Sequence, residues 1–338
     1  MVKYGKAKPH TIEKVLKQMK MLRNILLLAL CLVLPAVSAC ADDPEEAARL
    51  LSEGVVPVTW EPSRDHLIIE GDEAKALYDR IEAGDYPTLE ELQANPVVAQ
   101  IDRLSAYYIA LYGKTNEINT PEREELRKKV REEFLAMGSA KTRKINETTG
   151  KHKYDFNGPL NSDYRMTLVL GLPAAGKSTY IVEPLSEETG AFILDCDTVK
   201  KLIPEFQESH GCAADAVHFE SFAIMDSAMQ EFLTGSKKGV NVILPIVAPD
   251  LDELMNNYIK PFEAAGYTVK ALFLDAEPNV SASKVVAREL RNGRIIRSAV
   301  AFGVGWKPKE VYDKLAEMVS EKGEPYVDPV EEELAPAA

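Results

Sequence analysis

Basic residues are outnumbered by acidic ones, and cysteines are scarce, in this chain of 338 residues. It has 40 Lys and Arg against 53 Asp and Glu, so its formal net charge is −13. Proteins that bind nucleic acid through its phosphates need a basic surface, and this balance argues against that class. The chain has only four cysteines, and no CxxC pair or Cys/His cluster predicts a metal site. Cys196 and Cys212 could still pair in an oxidising compartment.

Long apolar runs are equally rare. Residues 25–37 form a run of about 13 residues, short of the roughly 20 that a membrane-spanning helix needs. Basic residues precede the run, and Val-Ser-Ala-Cys follows at 37–40, which predicts a lipoprotein-type signal peptide over residues 1–40. We therefore expect an exported protein that is anchored to the membrane through a lipidated Cys40. An uncleaved anchor is the alternative. Translation could start at Met19 or Met21, which keeps this signal, whereas a start site misassigned so that the signal itself is misleading would make the protein cytoplasmic.

The rest of the chain has an ordinary globular composition, with 46% hydrophobic and 28% charged residues. Residues 41–118 have helical patterns, including a capping box at Thr88 and Glu91, and could form an adaptor or a guard over an active site. A helical stripe there predicts a packing face of Val97, Ile101, Leu104, Tyr108 and Leu111. Thr120-Pro121 opens a further helix, the polar segment 138–161 is expected to be a loop, and 326–338 to be a disordered acidic tail.

From residue 166 onward the pattern changes to strands that alternate with helices. Apolar runs of strand length occur at 166–170, 191–194, 240–246 and 269–274, and amphipathic stretches separate them. Such alternation predicts βαβ units around a parallel sheet. We therefore expect an α/β domain at 119–325, preceded by the smaller, mostly helical region.

Residues 171–179 read GLPAAGKST and match the pattern GxxxxGK[ST] of a phosphate-binding loop. Glycines at such positions let successive backbone N–H groups face one anion, and the following helix directs its positive end to the phosphates. Lys177 is expected at the β and γ phosphates and Ser178 at Mg²⁺. A loop that binds without catalysis is the alternative. The predicted nucleotide contacts are Gly171, Ala174, Ala175, Gly176, Lys177, Ser178 and Thr179.

Two aspartates follow the second predicted strand. Ligands of parallel α/β sheets bind at the carboxyl ends of strands, so Asp195 and Asp197 should lie beside the phosphate loop. Two steps apart on an extended backbone, they would point to one side. Asp195 could help to hold Mg²⁺, and Asp197 could accept a proton from an attacking hydroxyl group. The alternative is that Asp195 is a turn aspartate and Asp197 is the N-cap of the helix that follows.

Four arginines, at 288, 291, 294 and 297, lie within ten residues after the fourth predicted strand. Guanidinium groups stabilise the charge that develops on a transferring phosphoryl group. Gly293 should end the helix so that Arg294 can turn inward, and we select Arg288 and Arg294 as catalytic. A solvated basic helix face is the alternative.

Together these segments resemble the zeta toxin family of P-loop kinases. The resemblance rests on GLPAAGKST, LDCDTVKKLIPEF, AVHFESFAIMDSAM and VVARELRNGRIIR, and it covers about 120–320. It implies a P-loop NTPase with an adenylate-kinase-like three-layer α/β/α core. The implied reaction is phosphorylation by ATP or GTP, with Mg²⁺, of a hydroxyl group on UDP-N-acetylglucosamine. Lys177, Asp197, Arg288 and Arg294 then match catalytic positions, and Asp195, Lys200 and Asp226 lie on the substrate side.

The third predicted strand departs from that family. Well-known members end it in Gly-Thr followed by a basic residue, whereas residues 244–249 here read Leu-Pro-Ile-Val-Ala-Pro. The acceptor could therefore be another metabolite, such as a nucleoside, a dinucleotide or an antibiotic. A lipid-anchored nucleotide-binding protein without turnover is a further alternative, and an antitoxin or immunity partner stays open.

Overall fold

The computed structural model describes residues 44–145, 152–247 and 250–320. The predicted signal peptide at 1–40 and the predicted tail at 326–338 lie outside these residues. No helix within the described ranges has both the length and the apolar composition needed to span a bilayer.

Helices dominate the N-terminal region. The capping box is confirmed, because Thr88 accepts from the backbone N–H of Glu91 while the Glu91 side chain accepts from that of Thr88. The predicted packing face is buried except at Leu111, which is 48% exposed near the end of its helix. The elements are α1 (Pro44–Ser52), α2 (Asp72–Glu82), α3 (Leu89–Gln93), α4 (Pro96–Tyr112) and a 3₁₀ turn (Thr115–Glu117).

The predicted loop at 138–161 is wrong in part, because it contains an antiparallel hairpin. Its strands are β1 (Ser139–Ile145) and β2 (His152–Gly158). Ala140 at its base is buried, and its N–H donates to Ser186 Oγ at 2.8 Å. The polar composition hid this hairpin because most of its side chains face solvent.

A four-stranded parallel sheet forms the centre of the chain, as predicted. Its order is β4-β5-β3-β6, so the strand before the phosphate loop is an interior strand. The predicted strand positions are confirmed to within one to two residues. The strands are β3 (Arg165–Gly171), β4 (Phe192–Ile193), β5 (Val242–Ile246) and β6 (Thr268–Leu274).

Helices cover both faces of this sheet and complete the α/β three-layer fold. Two π-helical turns, at Ser178–Val182 and Met255–Ile259, each come just before a proline-containing helix. Proline lacks the N–H that a regular helix needs, so the turn before it widens. The helices are α5 (Pro121–Leu135), α6 (Glu183–Thr189), α7 (Cys196–Lys200), α8 (Pro204–Glu208), α9 (His218–Leu233), α10 (Leu251–Leu254), α11 (Lys260–Ala264), α12 (Pro278–Asn292), α13 (Ser298–Gly303) and α14 (Lys307–Ser320).

The main core lies on one face of the sheet and includes residues that precede the first parallel strand. Phe134 of α5 is fully buried and packs edge to face against Phe192 of β4, with ring centroids 5.1 Å apart. Phe192 in turn packs against Phe232 of α9. Helix α5 is therefore an integral part of the sheet domain.

Candidate active site

The phosphate loop joins β3 to the π-helical turn and has a strained backbone. Gly171 and Gly176 have φ values of 153° and 100°, and Ala174 adopts a left-handed φ of 52°. A Cβ added at Gly171 would lie 2.8 Å from the Leu274 carbonyl oxygen, and one at Gly176 would lie 2.6 Å from the Tyr180 ring. The loop therefore needs glycine at both positions.

The Lys177 side chain folds back over this loop. Its ammonium group donates to the carbonyl oxygens of Gly171 and Leu172, both at 2.8 Å. Burial lowers the pKa of Lys177 to about 8; the charge of Asp195 opposes that shift, and the charges of Arg288 and Arg294 add to it. These four charged groups thus lie close enough to influence one another.

The two aspartates do not share one side of an extended backbone, so that expectation is wrong. Asp195 is the N-cap of α7, and its Oδ1 accepts from the Asp197 N–H at 3.0 Å. Asp197 is in the first turn of α7, which begins at Cys196, two residues earlier than a helix capped by Asp197 would begin. The alternative that made Asp197 the N-cap is thus wrong as well, because Asp195 is the N-cap and Asp197 projects from the helix.

Asp197 is surrounded by cations. One carboxylate oxygen accepts from Lys200 Nζ at 3.1 Å, and the other accepts from Arg294 Nη2. The predicted helix end at Gly293 is confirmed, since Gly293 is the left-handed C-cap of α12 with a φ of 71°. That turn brings Arg294, which follows β6 and α12, to the carboxylate of Asp197, which follows β4.

Arg288 differs from the other arginines of the cluster. Its Nε and Nη2 atoms are buried and have no hydrogen-bond partner among the described residues. Burial also lowers its pKa. Arg291, by contrast, is exposed at the end of α12, and Arg297 pairs with Asp215 at 2.8 Å. Of the four arginines, Arg288 and Arg294 are therefore the two whose guanidinium groups are largely buried beside the phosphate loop.

The remaining predicted contacts lie around the same strand ends. Ala174 and Ala175 are half-buried in the loop, while Ser178 and Thr179 are exposed at its end. Asp226 lies in the middle of α9. Cys196 and Cys212 are both free thiols. The structure therefore places the loop, Asp195, Asp197 and Arg294 together, with Asp226 on a neighbouring helix.

The end of β5 forms an apolar wall beside the phosphate loop. Pro245 and Ile246 pair with Val169 and Leu170, the residues that lead into the loop. Strand β4 ends its pairing with β5 at Ile243, so Pro245 lies beyond it. A proline is tolerated there because the shorter neighbour makes no further bonds to β5. No residue of β5, which ends at Ile246, has a hydroxyl or a cationic side chain.

The lowered pKa of Lys177 predicts a pH-dependent affinity for nucleotides. Phosphates bind the charged ammonium group, so binding should raise the Lys177 pKa above its free value of about 8. Affinity should be flat below pH 8 and should fall about tenfold per pH unit above it, because binding must then take up a proton. Calorimetric titration with a Mg-nucleotide from pH 6.5 to 9.5 measures this. In Lys177→Arg, whose guanidinium stays charged, the slope should disappear; an unchanged slope would contradict the assignment.

Sequence reasoning missed three carboxylates around Arg294. Glu289 is buried and its Oε1 accepts from the Ile296 N–H at 2.6 Å. Asp215 forms an ion pair with Arg297, and Asp102 accepts a hydrogen bond from the Ser298 N–H. Glu289 could have been noticed as a charged residue on the apolar face of α12, but Asp102 lies 196 residues from Ser298 and gives no local signal.

The family model described as Zeta toxin matches residues 160–323. This range contains the phosphate loop, the aspartate pair and the arginine cluster. No curated protein matches the chain.

Proposed function

Because residues 160–323 form a domain of the zeta toxin family, a family of P-loop kinases, we propose that this protein transfers the γ-phosphate of ATP or GTP to a hydroxyl group of a small molecule. The observation that supports this most strongly is the Arg294–Asp197 ion pair beside the phosphate loop. In this pair, Arg294 is the proposed phosphate-binding cation and Asp197 is the proposed proton acceptor. Both lie at the carboxyl ends of the parallel strands, where substrates of such sheets bind.

The residues present fit a triphosphate. Backbone N–H groups of the loop and the Lys177 ammonium would hold the β and γ phosphates. The two unpartnered nitrogens of Arg288 would gain acceptors from an anion, which removes the cost of leaving buried donors unsatisfied. Arg288 and Arg294 would then bind the transferring phosphoryl group from the side of α12.

Asp197 is our proposed general base. In the structure both of its oxygens bind cations, Lys200 and Arg294. Phosphate oxygens would compete with Asp197 for Arg294, so nucleotide binding would free one carboxylate oxygen to accept the proton of the acceptor hydroxyl. Lys200 would stay bound to the other oxygen of Asp197 and would keep that carboxylate in place.

Mg²⁺, when bound with the nucleotide, would neutralise phosphate charge. Among the described residues no cluster of three or more potential ligands forms a metal site. Mg²⁺ is usually held by substrate phosphates, waters and one or two protein oxygens. Ser178 and Asp195 are the protein ligands that we propose.

For the acceptor, the family resemblance supports an amino-sugar nucleotide such as UDP-N-acetylglucosamine, with Asp195, Lys200 and Asp226 on its side of the site. The apolar end of β5 favours a second candidate, another hydroxyl-bearing metabolite that needs no polar contact there. The two candidates share the nucleotide site and differ only in the acceptor.

Phosphorus NMR of the full-length chain with Mg²⁺ and ATP or GTP separates these candidates. Reactions would contain UDP-N-acetylglucosamine, a nucleoside panel, a dinucleotide panel or an antibiotic panel. A new phosphomonoester signal with the sugar nucleotide supports the first candidate, and a signal only with another acceptor supports the second. Tight nucleotide binding without transfer to any acceptor would contradict both and would favour a binding protein.

We also propose that the protein is exported and anchored through a lipidated Cys40, on the basis of residues 25–40. Fatty-acid labelling of expressing cells tests this, because labelling that persists in Cys40→Ala would exclude that anchor. An exported kinase would meet nucleotide by acting inside another cell, or would use a different phosphate-bearing ligand outside the cytoplasm.

A further inference from the structure

The segment that carries Arg294 is a short loop between two helices. We call residues 293–298, between the end of α12 and the start of α13, the arginine loop. Its first residue packs tightly, since a Cβ added at Gly293 would lie 2.4 Å from the His210 carbonyl oxygen. Ile295, in its middle, is fully buried. The position of Arg294 therefore depends on what holds this loop.

Three acidic side chains hold it, at three consecutive residues. Glu289 accepts from the Ile296 N–H at 2.6 Å, Asp215 forms an ion pair with the Arg297 side chain (Oδ2 to Nε, 2.8 Å), and Asp102 Oδ1 accepts from the Ser298 N–H at 2.9 Å. The Ser298 hydroxyl also donates to Asp102 Oδ2. Both oxygens of the Asp102 carboxylate are thus engaged by one residue of the loop.

Of these carboxylates, Asp102 comes from outside the family-matched range. It lies on α4, in the N-terminal helical region. Ser105, one turn further along the same helix, donates to Asp215 Oδ2 at 3.2 Å, so α4 supports two of the three groups that hold the arginine loop. Burial raises the pKa of Glu289 to about 8, and the charges of Asp102 and Asp215 add to that effect.

Helix α4 is itself firmly fixed. Tyr108 is buried, and its hydroxyl accepts from the Val58 N–H at 3.1 Å. Just after the helix, the Thr115 N–H donates to the Ala216 carbonyl oxygen at 3.2 Å. The same region also binds α12, where the Ile68 N–H donates to the Leu290 carbonyl oxygen at 2.9 Å. The N-terminal helices therefore form a rigid support for both α12 and the arginine loop.

We infer that α4 is part of the active-site framework and that Asp102 is a positioning residue for Arg294, acting through Ser298. This inference rests on the proposed phosphoryl transfer. It gives the N-terminal helical region a role distinct from those of an adaptor or a removable guard. Because a displacement of about 1 Å can cost about 10²-fold in rate, a loop that is loosened four residues from Arg294 should impair transfer more than nucleotide binding.

The test compares Asp102→Ala with Asp102→Asn in the full-length chain. Alanine removes both bonds to Ser298, and kcat should fall about tenfold while the KM for nucleotide stays within about twofold. Asparagine can accept from the Ser298 N–H and donate to its hydroxyl, so it should restore most of kcat. Ser298→Ala keeps the N–H bond and should lie between. Asp79→Ala, at an exposed position of α2, is the matched control.

Hydrogen exchange gives a readout that does not need turnover. Backbone amides of 294–300 should exchange faster in Asp102→Ala than in the parent chain, and at the parent rate in Asp102→Asn. Unchanged exchange there, or an equal loss of kcat in the alanine and asparagine variants, would overturn the inference. If the parent chain transfers phosphate to no acceptor, the proposed function fails, while faster exchange would still support the link between α4 and the loop. Should Asp102→Ala fail to fold, Ser298→Ala tests the hydroxyl bond alone, and parent values of both kcat and exchange in that variant would overturn the inference.

Discussion

Asp197→Asn should lower kcat by about 10²- to 10⁴-fold, the usual contribution of a general base. The amide keeps the size of the side chain but cannot take the acceptor's proton. Nucleotide affinity should stay the same or increase, because Arg294 would lose the carboxylate that now competes with phosphate for it. Steady-state kinetics and calorimetry with a Mg-nucleotide measure the two effects separately.

One variant serves as a control for this result, and a second tests the neighbouring carboxylate. Asp79→Asn removes an exposed carboxylate that pairs with Lys75 on α2, and it should leave both kcat and affinity unchanged. Asp195→Asn preserves the N-cap of α7, since asparagine caps helices as well as aspartate does, so it reports on the neighbouring carboxylate alone. A kcat for Asp197→Asn within about threefold of the parent value would show that another group is the base.

Lys177→Ala should reduce phosphoryl transfer by about 10³-fold, as expected when a preorganised cation is lost from the transition state. Unlike Asp197→Asn, it should also weaken nucleotide binding, because the ammonium group contacts phosphates in the ground state. The substitution removes two hydrogen bonds to the loop carbonyls as well. Kinetics and calorimetry on the purified variant give both quantities.

Lys201→Ala is a suitable control for that variant. Lys201 is an exposed lysine at the end of α7, and its loss should change neither rate nor affinity by more than about twofold. If Lys177→Ala binds nucleotide as tightly as the parent chain does, the loop does not hold the phosphates in the way proposed here.

The local parts of the site could be predicted from the sequence. The strand–loop–helix pattern around residues 166–187 and the helix break at Gly293 are both set by residues close together in the chain, through glycine conformations and strand-length apolar runs. These signals do not depend on tertiary contacts. They are therefore sufficient to predict both the phosphate loop and the inward turn of Arg294.

Other features had no such signal. The position of Asp197 within α7 depends on which aspartate caps the helix, and the sequence allows either. The hairpin at β1 and β2 has a polar, largely exposed surface, so its strands resemble a loop. Asp102 and Ser298 meet only because α4 folds onto the arginine loop, and nothing local marks either residue as a partner.

Phe134 has a consequence for how this domain can be inherited. It is fully buried and packs edge to face against Phe192, yet it precedes residue 160, where the family match begins. Losing a buried phenylalanine costs about 3–5 kcal/mol, a large share of the roughly 5–15 kcal/mol that stabilises a typical domain. A gene fragment that encoded only residues 160–323 would therefore lack one of the large buried side chains of the domain core. Recombination can transfer a stable domain only if the fragment also encodes α5.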